Sequence, residues 1–333
     1  MLEITELIDE AKYVINNVNQ SNYMCLCFVN MFKERINMRQ NIMFMSQGVN
    51  CSGWLYIPDN LAPDEKVPAI VMAHGYSAVK EMGLSKYAEQ FVDAGFVTLV
   101  FDYRYFGDSM GEPRGQLFPL EQQEDYRNAI TWLSDHPHVD PQRIGIWGTS
   151  FSGGLVLYVG IFDKRVKAIV AQVPSTSNWE TRRRINQERF DKVGELFIQD
   201  RIERYRTGKI NYIKVVAPEG EPCVLSQEES YKFFMEGSKL APNWRNQITY
   251  ESLEKQREFD SISLIHMIAP TSLLIIAAKY DELIPLNVPV SAYKRALEPK
   301  SIKILPCSHF DIYTEPWVIM AARAAVDWYK AHL

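Results

Sequence analysis

The chain has 333 residues, room for one large α/β domain with an insertion or for two domains. Its composition, 47% hydrophobic and 23% charged, allows a sizeable core, and a net charge of −5 argues against general nucleic-acid binding, which favours a strongly basic face. Five cysteines (Cys25, Cys27, Cys51, Cys223 and Cys307) show no paired framework and no metal-ligand spacing beyond one Cys-x-Cys, so they read as reduced thiols of a cytoplasmic protein.

Acidic residues (Glu3, Glu6, Asp9, Glu10) stand at the amino terminus, where a signal peptide would be basic. Tyr23 to Phe32 is apolar but too short to span a bilayer, so the expectation is an intracellular chain without a membrane segment. Ile4, Leu7, Ile8, Ala11, Val14, Ile15 and Val18 fall at helical spacing, and Met24 to Arg35 reads as a second helix. Residues 1–38 are therefore expected to form a helical extension that packs on the rest. A homodimer contact and a wall of the substrate site are its alternative roles.

Asn41 to Met45 and Cys51 to Ile57 flank a turn signal at Ser46 to Asn50 and predict an antiparallel pair. Apolar runs then alternate with helical patterns. The strands are Val67–Ala73, Phe96–Phe101, Ile144–Trp147 and Val166–Val173, with helices near Leu84–Ala94, Leu120–Ser134 and after Ser150. Continuous apolar runs between helices indicate strands buried on both faces of a parallel sheet. After Pro174 the pattern turns polar and largely helical. Buried strands resume at Ser272–Ala278 and Ser301–Leu305, and a last helix spans about Trp317–Ala331. The expected organisation is a core of residues 39–174 and 263–333, with residues 175–262 inserted as a helical cap over the strand ends. Phe190, Leu196, Phe197, Ile198, Tyr205, Tyr212, Tyr231, Phe233, Phe234 and Trp244 give that cap apolar surface, predicting a largely hydrophobic pocket beneath it.

Arg143 to Gly154 reads as a buried strand, a tight turn and a helix start, with Ser150 at the apex. Such a turn strains its apex residue by about 1–3 kcal/mol and stands a nucleophile clear of the sheet at a helix amino end. The usual pattern is Gly-x-Ser-x-Gly; here the fifth residue is Ser152. A serine hydroxyl needs a general base, usually histidine. Of six histidines, His309 directly follows the last strand and so lies at the carboxyl edge of the sheet with Ser150. His136, His138, His266 and His332 lack that placement, and His74 is expected to brace a turn. Asp281, after the strand before, is the expected carboxylate partner of His309, with Glu282 as the runner-up. An oxyanion hole would use the backbone N–H of Phe151 and that of Tyr76, in the loop Ala73 to Ser77. Asp102 and Asp108 are expected to hold the floor of the site by hydrogen bonds. No metal constellation or dinucleotide fingerprint is visible, so no cofactor is expected.

These motifs (Ala73–Ser77, Phe101–Ser109, Trp147–Gly154, Tyr280–Asp281 and Ser308–Asp311) resemble those of the α/β-hydrolase superfamily. The resemblance is nearest to the branch of dienelactone-hydrolase-like and X-prolyl-peptidase-like enzymes with fungal polyketide transferases and thiohydrolases. It covers about residues 40–333 and implies a mostly parallel central sheet flanked by helices. It also implies acyl transfer through a Ser150 acyl-enzyme, from a small-molecule ester or thioester of a fairly hydrophobic acyl group. Some X-prolyl-peptidase-like esterases use a tyrosine hydroxyl at the Tyr76 position in the oxyanion hole, which implies a side-chain role there. Tyr105 stands where the family often has glycine, implying a differently shaped loop.

Hydrolysis is expected ahead of transfer to an alcohol or amine, because simple hydrolases are the more numerous kind. The arginines from Arg182 to Arg206 offer docking to an acidic acyl carrier protein, against a default reading as a solvated, salt-bridged face. A binding protein that keeps the fold without catalysis is the reading from another class, and the complete set of Ser150, Asp281 and His309 argues against it.

Overall fold

Runs rich in valine, isoleucine and alanine supply the central strands, where β-branched side chains pack well on a pleated surface. The computed structural model of the protein describes residues 39–59, 61–177 and 187–333. The helices expected in residues 1–38, Cys25 and Cys27 with them, and the Arg182–Arg184 run lie outside the described residues.

In chain order the first elements are β1 (Arg39–Ser46), β2 (Val49–Tyr56), β3 (Val67–Ala73), α1 (Ser85–Asp93), β4 (Val97–Phe101), α2 (Pro119–Ser134), β5 (Val139–Thr149), α3 (Phe151–Phe162) and β6 (Val166–Gln172). Between β6 and the next sheet strand lie α4 (Gln187–Thr207), β7 (Tyr212–Ile213), α5 (Glu228–Leu240), β8 (Ile248–Thr249) and α6 (Tyr250–Arg257). The chain then returns through β9 (Ser272–Ala278), α7 (Asn287–Arg295), β10 (Lys300–Leu305) and α8 (Trp317–His332). Two features depart from the sequence reading. A two-residue pairing of β7 with β8 interrupts the helical segment, and α7 stands between β9 and β10. β7 and β8 are too short to write a period into the sequence, and α7, though as long as α1, begins around Pro289, which reads as a break.

The eight-stranded sheet has the order β1-β2-β4-β3-β5-β6-β9-β10. β2 pairs antiparallel with β4, and every pair from β4 to β10 is parallel. β1 and β2 are joined by Gln47-Gly48, both at positive φ (49° and 81°), the backbone that two-residue hairpin turns require. Every residue of β4 and β9 is buried, as continuous apolar runs between two helical layers demand. At the far edge, Lys303 of β10 is exposed, and a charge there discourages pairing with another chain. α3 is apolar on all sides, and almost all of it is buried against the sheet and its neighbours.

Strand order reverses between β3 and β5: the chain leaves β3 for β4 on one side and returns as β5 on the other. Open α/β sheets gather their ligands in the crevice at the carboxyl ends beside such a switch point. The loops carrying Tyr76 after β3, Ser150 after β5, Asp281 after β9 and His309 after β10 all leave that edge.

Candidate active site

Ser150 caps the amino end of α3 with φ +57° and ψ −118°, a conformation that costs a non-glycine residue roughly 1–3 kcal/mol. Its surroundings hold it there. Its N–H donates to the Gln172 carbonyl (2.8 Å), and its carbonyl accepts from Ser175 N–H (2.9 Å). Strand and helix meet so closely that a Cβ on Gly148 would lie 2.4 Å from the Ser152 carbonyl oxygen, and one on Gly154 would lie 2.0 Å from that of Ser175. The departure at Ser152 has a physical reason. Tyr103 Oη donates to Ser152 Oγ (2.9 Å), Ser152 Oγ is 2.7 Å from Tyr126 Oη, and Tyr126 donates to the Trp147 carbonyl (2.9 Å).

His309 is buried, with Nε2 3.1 Å from Ser150 Oγ and Nδ1 2.7 Å from Asp281 Oδ2. The carboxylate accepts only, so the ring proton belongs on Nδ1 and Nε2 is left to accept from the serine. The other oxygen of Asp281 accepts the N–H groups of Leu283 (2.9 Å) and Ile284 (2.6 Å), which fix the carboxylate's orientation. Glu282 is exposed and makes no such contact with the ring. The loop after His309 is tied down by Tyr87, whose hydroxyl donates to the Ile312 carbonyl (2.6 Å). Cys307, also buried, has its thiol pushed up to about 12 by burial and by the carboxylates of Asp311 and Asp281, so it stays protonated.

The other histidines stand apart from this group. His136 and His138 face each other with ring centroids 5.9 Å apart, His266 is exposed in a short 3₁₀ turn, and His332 lies on Trp328. Tyr76 and Phe151 both border the cavity beside Ser150, their rings edge to face at 5.7 Å. Trp244 Nε1 donates to the Ser77 carbonyl (2.8 Å) and anchors the Tyr76 loop from the segment between β6 and β9. Tyr105 adopts φ +74°, a left-handed backbone that glycine would take without strain.

Asp102 and Asp108 are joined by hydrogen bonds, and the centre of their cluster is a residue the sequence reading missed. Lys80, only 1% exposed, places Nζ 2.8 Å from Asp102, 2.7 Å from Asp108 and 2.8 Å from Glu81. Burial alone would favour the neutral amine. The three carboxylates outweigh it and hold the pKa above the ordinary lysine value. Their oxygens converge closely enough to hold a cation, and the ammonium serves as that cation. Asp102 also accepts Lys80 N–H (2.7 Å) and Asp108 N–H (3.2 Å). The available signal was a lone lysine in the apolar stretch soon after His74-Gly75. His74 sits beside this cluster, and burial lowers its pKa to about 4.

Two cavities meet at Ser150. One of about 470 Å³ extends past Phe151, Phe190, Phe197, Tyr250 and Arg257. The other, about 30 Å³, runs past His309 to Phe233, Phe310 and Tyr313. The larger is less apolar than the sequence implies: Gln227, Gln256 and Arg257 border it, and Gln227 Oε1 is buried without a hydrogen bond inside the protein. Of the aromatic and aliphatic residues expected over the strand ends, Leu196, Ile198, Tyr205 and Tyr212 instead face solvent, because α4 and β7 present one side outward. Arg201 and Arg204 are engaged by Asp200, Glu251 and Glu254, as in a salt-bridged face.

Residues 48–259 match the X-Pro dipeptidyl-peptidase (S15) family. The matched stretch holds Tyr76 and Ser150 and ends before Asp281 and His309. The quorum-quenching protein AidA of Acinetobacter baumannii (strain MDR-ZJ06) is 31% identical over 294 residues, covering 87% of this chain and 94% of that protein. A thiohydrolase of Eupenicillium brefeldianum is 29% identical over 272 residues, covering 80% of this chain and 85% of its own. The crystal structure of the α/β-hydrolase GrgF from Penicillium sp. sh18 aligns with a TM-score of 0.77 at 26% identity, covering 88% of this chain and 98% of that one. Among the described residues no helix is long and apolar enough to cross a membrane. Strand order, switch-point loops and sequence similarity agree: the chain belongs to the X-Pro dipeptidyl-peptidase (S15) family, within the α/β-hydrolase superfamily of serine hydrolases.

Proposed function

We propose that the protein cleaves an ester or thioester of an extended acyl group through an acyl-enzyme on Ser150, with water as the acceptor. The observation that carries this reading is the continuous contact from Asp281 through His309 to Ser150 Oγ, 2.7 Å and then 3.1 Å, at the carboxyl edge of the sheet. In the first step Nε2 takes the Ser150 proton as Oγ attacks the carbonyl carbon. The oxyanion is stabilised by the backbone N–H groups of Tyr76 and Phe151. Nε2 then gives its proton to the departing oxygen or sulfur as that bond breaks. Water repeats the sequence in reverse, and free acid leaves. Names among the relatives, a thiohydrolase and a quorum-quenching protein, are compatible with such acyl chemistry.

The segment between β6 and β9 acts in this reading as the cap, because its residues Phe190 and Phe197 form one wall of the 470 Å³ cavity. Free Cys51, Cys223 and Cys307 suit a reducing compartment such as the cytoplasm.

A fluorophosphonate probe tests the reading directly. It should label the native protein and fail to label Ser150→Ala. Folded native protein that resists labelling would favour a binding function on the same fold.

A further inference from the structure

We propose that the open cleft between the loop after β4 and the segment after α5 is a binding site for a phosphate group, held between Arg114 and Arg245. The site is independent of the acyl-enzyme reading, because no residue that lines it lines either cavity at Ser150.

A buried cation here lacks its counter-charge. Arg114 is only 9% exposed, and its guanidinium donates to the carbonyls of Ser109 and Gly107. Among the described residues no carboxylate forms an ion pair with it. Buried charges are ordinarily paired, since an unpaired one is expensive to take out of water. A second cation stands nearby instead. Arg245 lines the same cleft, is exposed, and likewise has no ion pair among the described residues. Burial and the Arg245 charge hold the Arg114 pKa below the ordinary arginine value, against the opposing pull of Glu112, Asp102 and Asp108. Those acids are committed elsewhere. Asp102 and Asp108 hold Lys80, and Glu112 Oε2 accepts the backbone N–H of Arg114 (2.8 Å) and not its guanidinium.

Two guanidiniums at one cleft suit a doubly charged acceptor. Their planar forks bind phosphate oxygens in pairs, and only the carboxylate of Glu112 lines the cleft against them. Asn243 supplies a complementary group. Its Nδ2 donates to Glu81 (3.4 Å), which orients the amide, and its Oδ1 is buried without a partner. That oxygen would accept a hydroxyl on the phosphate or beside it.

The two walls are joined before a ligand arrives. Thr249 N–H donates to the Gly115 carbonyl (3.1 Å), and Leu117 N–H to Ser252 Oγ (2.8 Å). Preset spacing lowers the cost of binding. A phosphate between Arg114 and Arg245 adds a further tie from the segment between β6 and β9 to the sheet side. Trp244, the anchor of the Tyr76 loop, lies between Asn243 and Arg245 on the tied stretch.

Calorimetric titration and thermal melts with inorganic phosphate, at constant ionic strength, test the site. Phosphate should bind the wild type and raise its melting temperature, while singly charged acetate at the same concentration should do neither. Arg245→Ala should weaken phosphate binding about tenfold or more, the size expected when a hydrogen-bonded charge is lost. Without phosphate this variant should melt no lower than the wild type, because it removes a like charge, and that melt guards against a folding defect. Glu112→Gln should tighten phosphate binding. Glycerol 3-phosphate separates the sources of the group: tighter binding than inorganic phosphate assigns the site to an organic phosphate ester, and equal binding assigns it to phosphate itself. Equal affinity in the wild type and Arg245→Ala overturns the proposal, as does an equal effect of acetate or no phosphate binding by the wild type at about 10 mM.

Discussion

The loops at the carboxyl edge of the sheet and the segment between β6 and β9 face each other across Ser150, and they are built on different terms. Ser150 and Asp281 each sit within a few residues of a strand end and are locked by backbone hydrogen bonds: Ser150 by Gln172 and Ser175, Asp281 by Leu283 and Ile284. The intervening segment has strands of only two residues, and α4 is tied to α6 by partly exposed ion pairs at Arg201 and Arg204. Surface pairs of that kind contribute about 0–1 kcal/mol each. On the proposed reading, chemistry falls to the strand-end loops and substrate fit to the side that can change by packing alone.

That contrast predicts that damage on the sheet side is large and specific. Asp281→Asn should fold and lose roughly 10³–10⁴ in turnover, because the imidazole is left in the wrong tautomer, while exposed Glu282→Gln should be nearly silent. Comparable losses from both variants would remove the distinction between a fixed acid and a bystander.

Smaller in energy, and read in stability, is the effect expected at the Lys80 cluster. Lys80→Met leaves Asp102 as an uncompensated buried carboxylate and should cost about 3–5 kcal/mol in denaturant unfolding. Adding Asp102→Asn should return part of the loss. A single variant as stable as the wild type would mean the cluster is not a rigid support.

The smallest effect concerns pH. His74 has its pKa lowered to about 4 by burial, against 6.5 when unfolded. Between those values the unfolded chain binds the extra proton, so stability rises with pH up to about 6.5 and is lost on acidification toward 4. At 1.36 kcal/mol per pH unit the loss approaches about 3 kcal/mol. Melting temperatures at pH 7 and 4.5 should diverge less in His74→Gln than in the wild type. Parallel slopes would place the acid sensitivity elsewhere.

Much of the sheet side was legible because its signals are local. Apolar runs of Val, Ile and Ala mark strands wherever both faces are buried, and His309 and Asp281 could be placed simply by which strand each follows. Lys80 was not legible, since its meaning depends on Asp102, Asp108 and Glu81 arriving from separate turns. The intervening segment was misread in part for a related reason. Counting its aromatic and aliphatic residues did not say which way α4 would turn them, and Leu196, Ile198 and Tyr205 face solvent while Phe190 and Phe197 do not. The small cavity could not be foreseen at all, because Phe233 and Phe310 meet from opposite sides of the site.

The hydroxyl chain through Ser152 has a direction. The Trp147 carbonyl can only accept, so Tyr126 must donate to it, Ser152 must donate to Tyr126, and Tyr103 must donate to Ser152. Glycine at position 152, the usual residue of the motif, would remove the hydroxyl that accepts from Tyr103 and donates to Tyr126. Reaching the common motif from this sequence would therefore cost about 1–3 kcal/mol of buried hydrogen bonding unless a tyrosine changed with it. Positions 103, 126 and 152 should drift as a trio, and a hybrid gene that takes Ser152 from one homologue and its tyrosines from another should encode a weakened nucleophile turn.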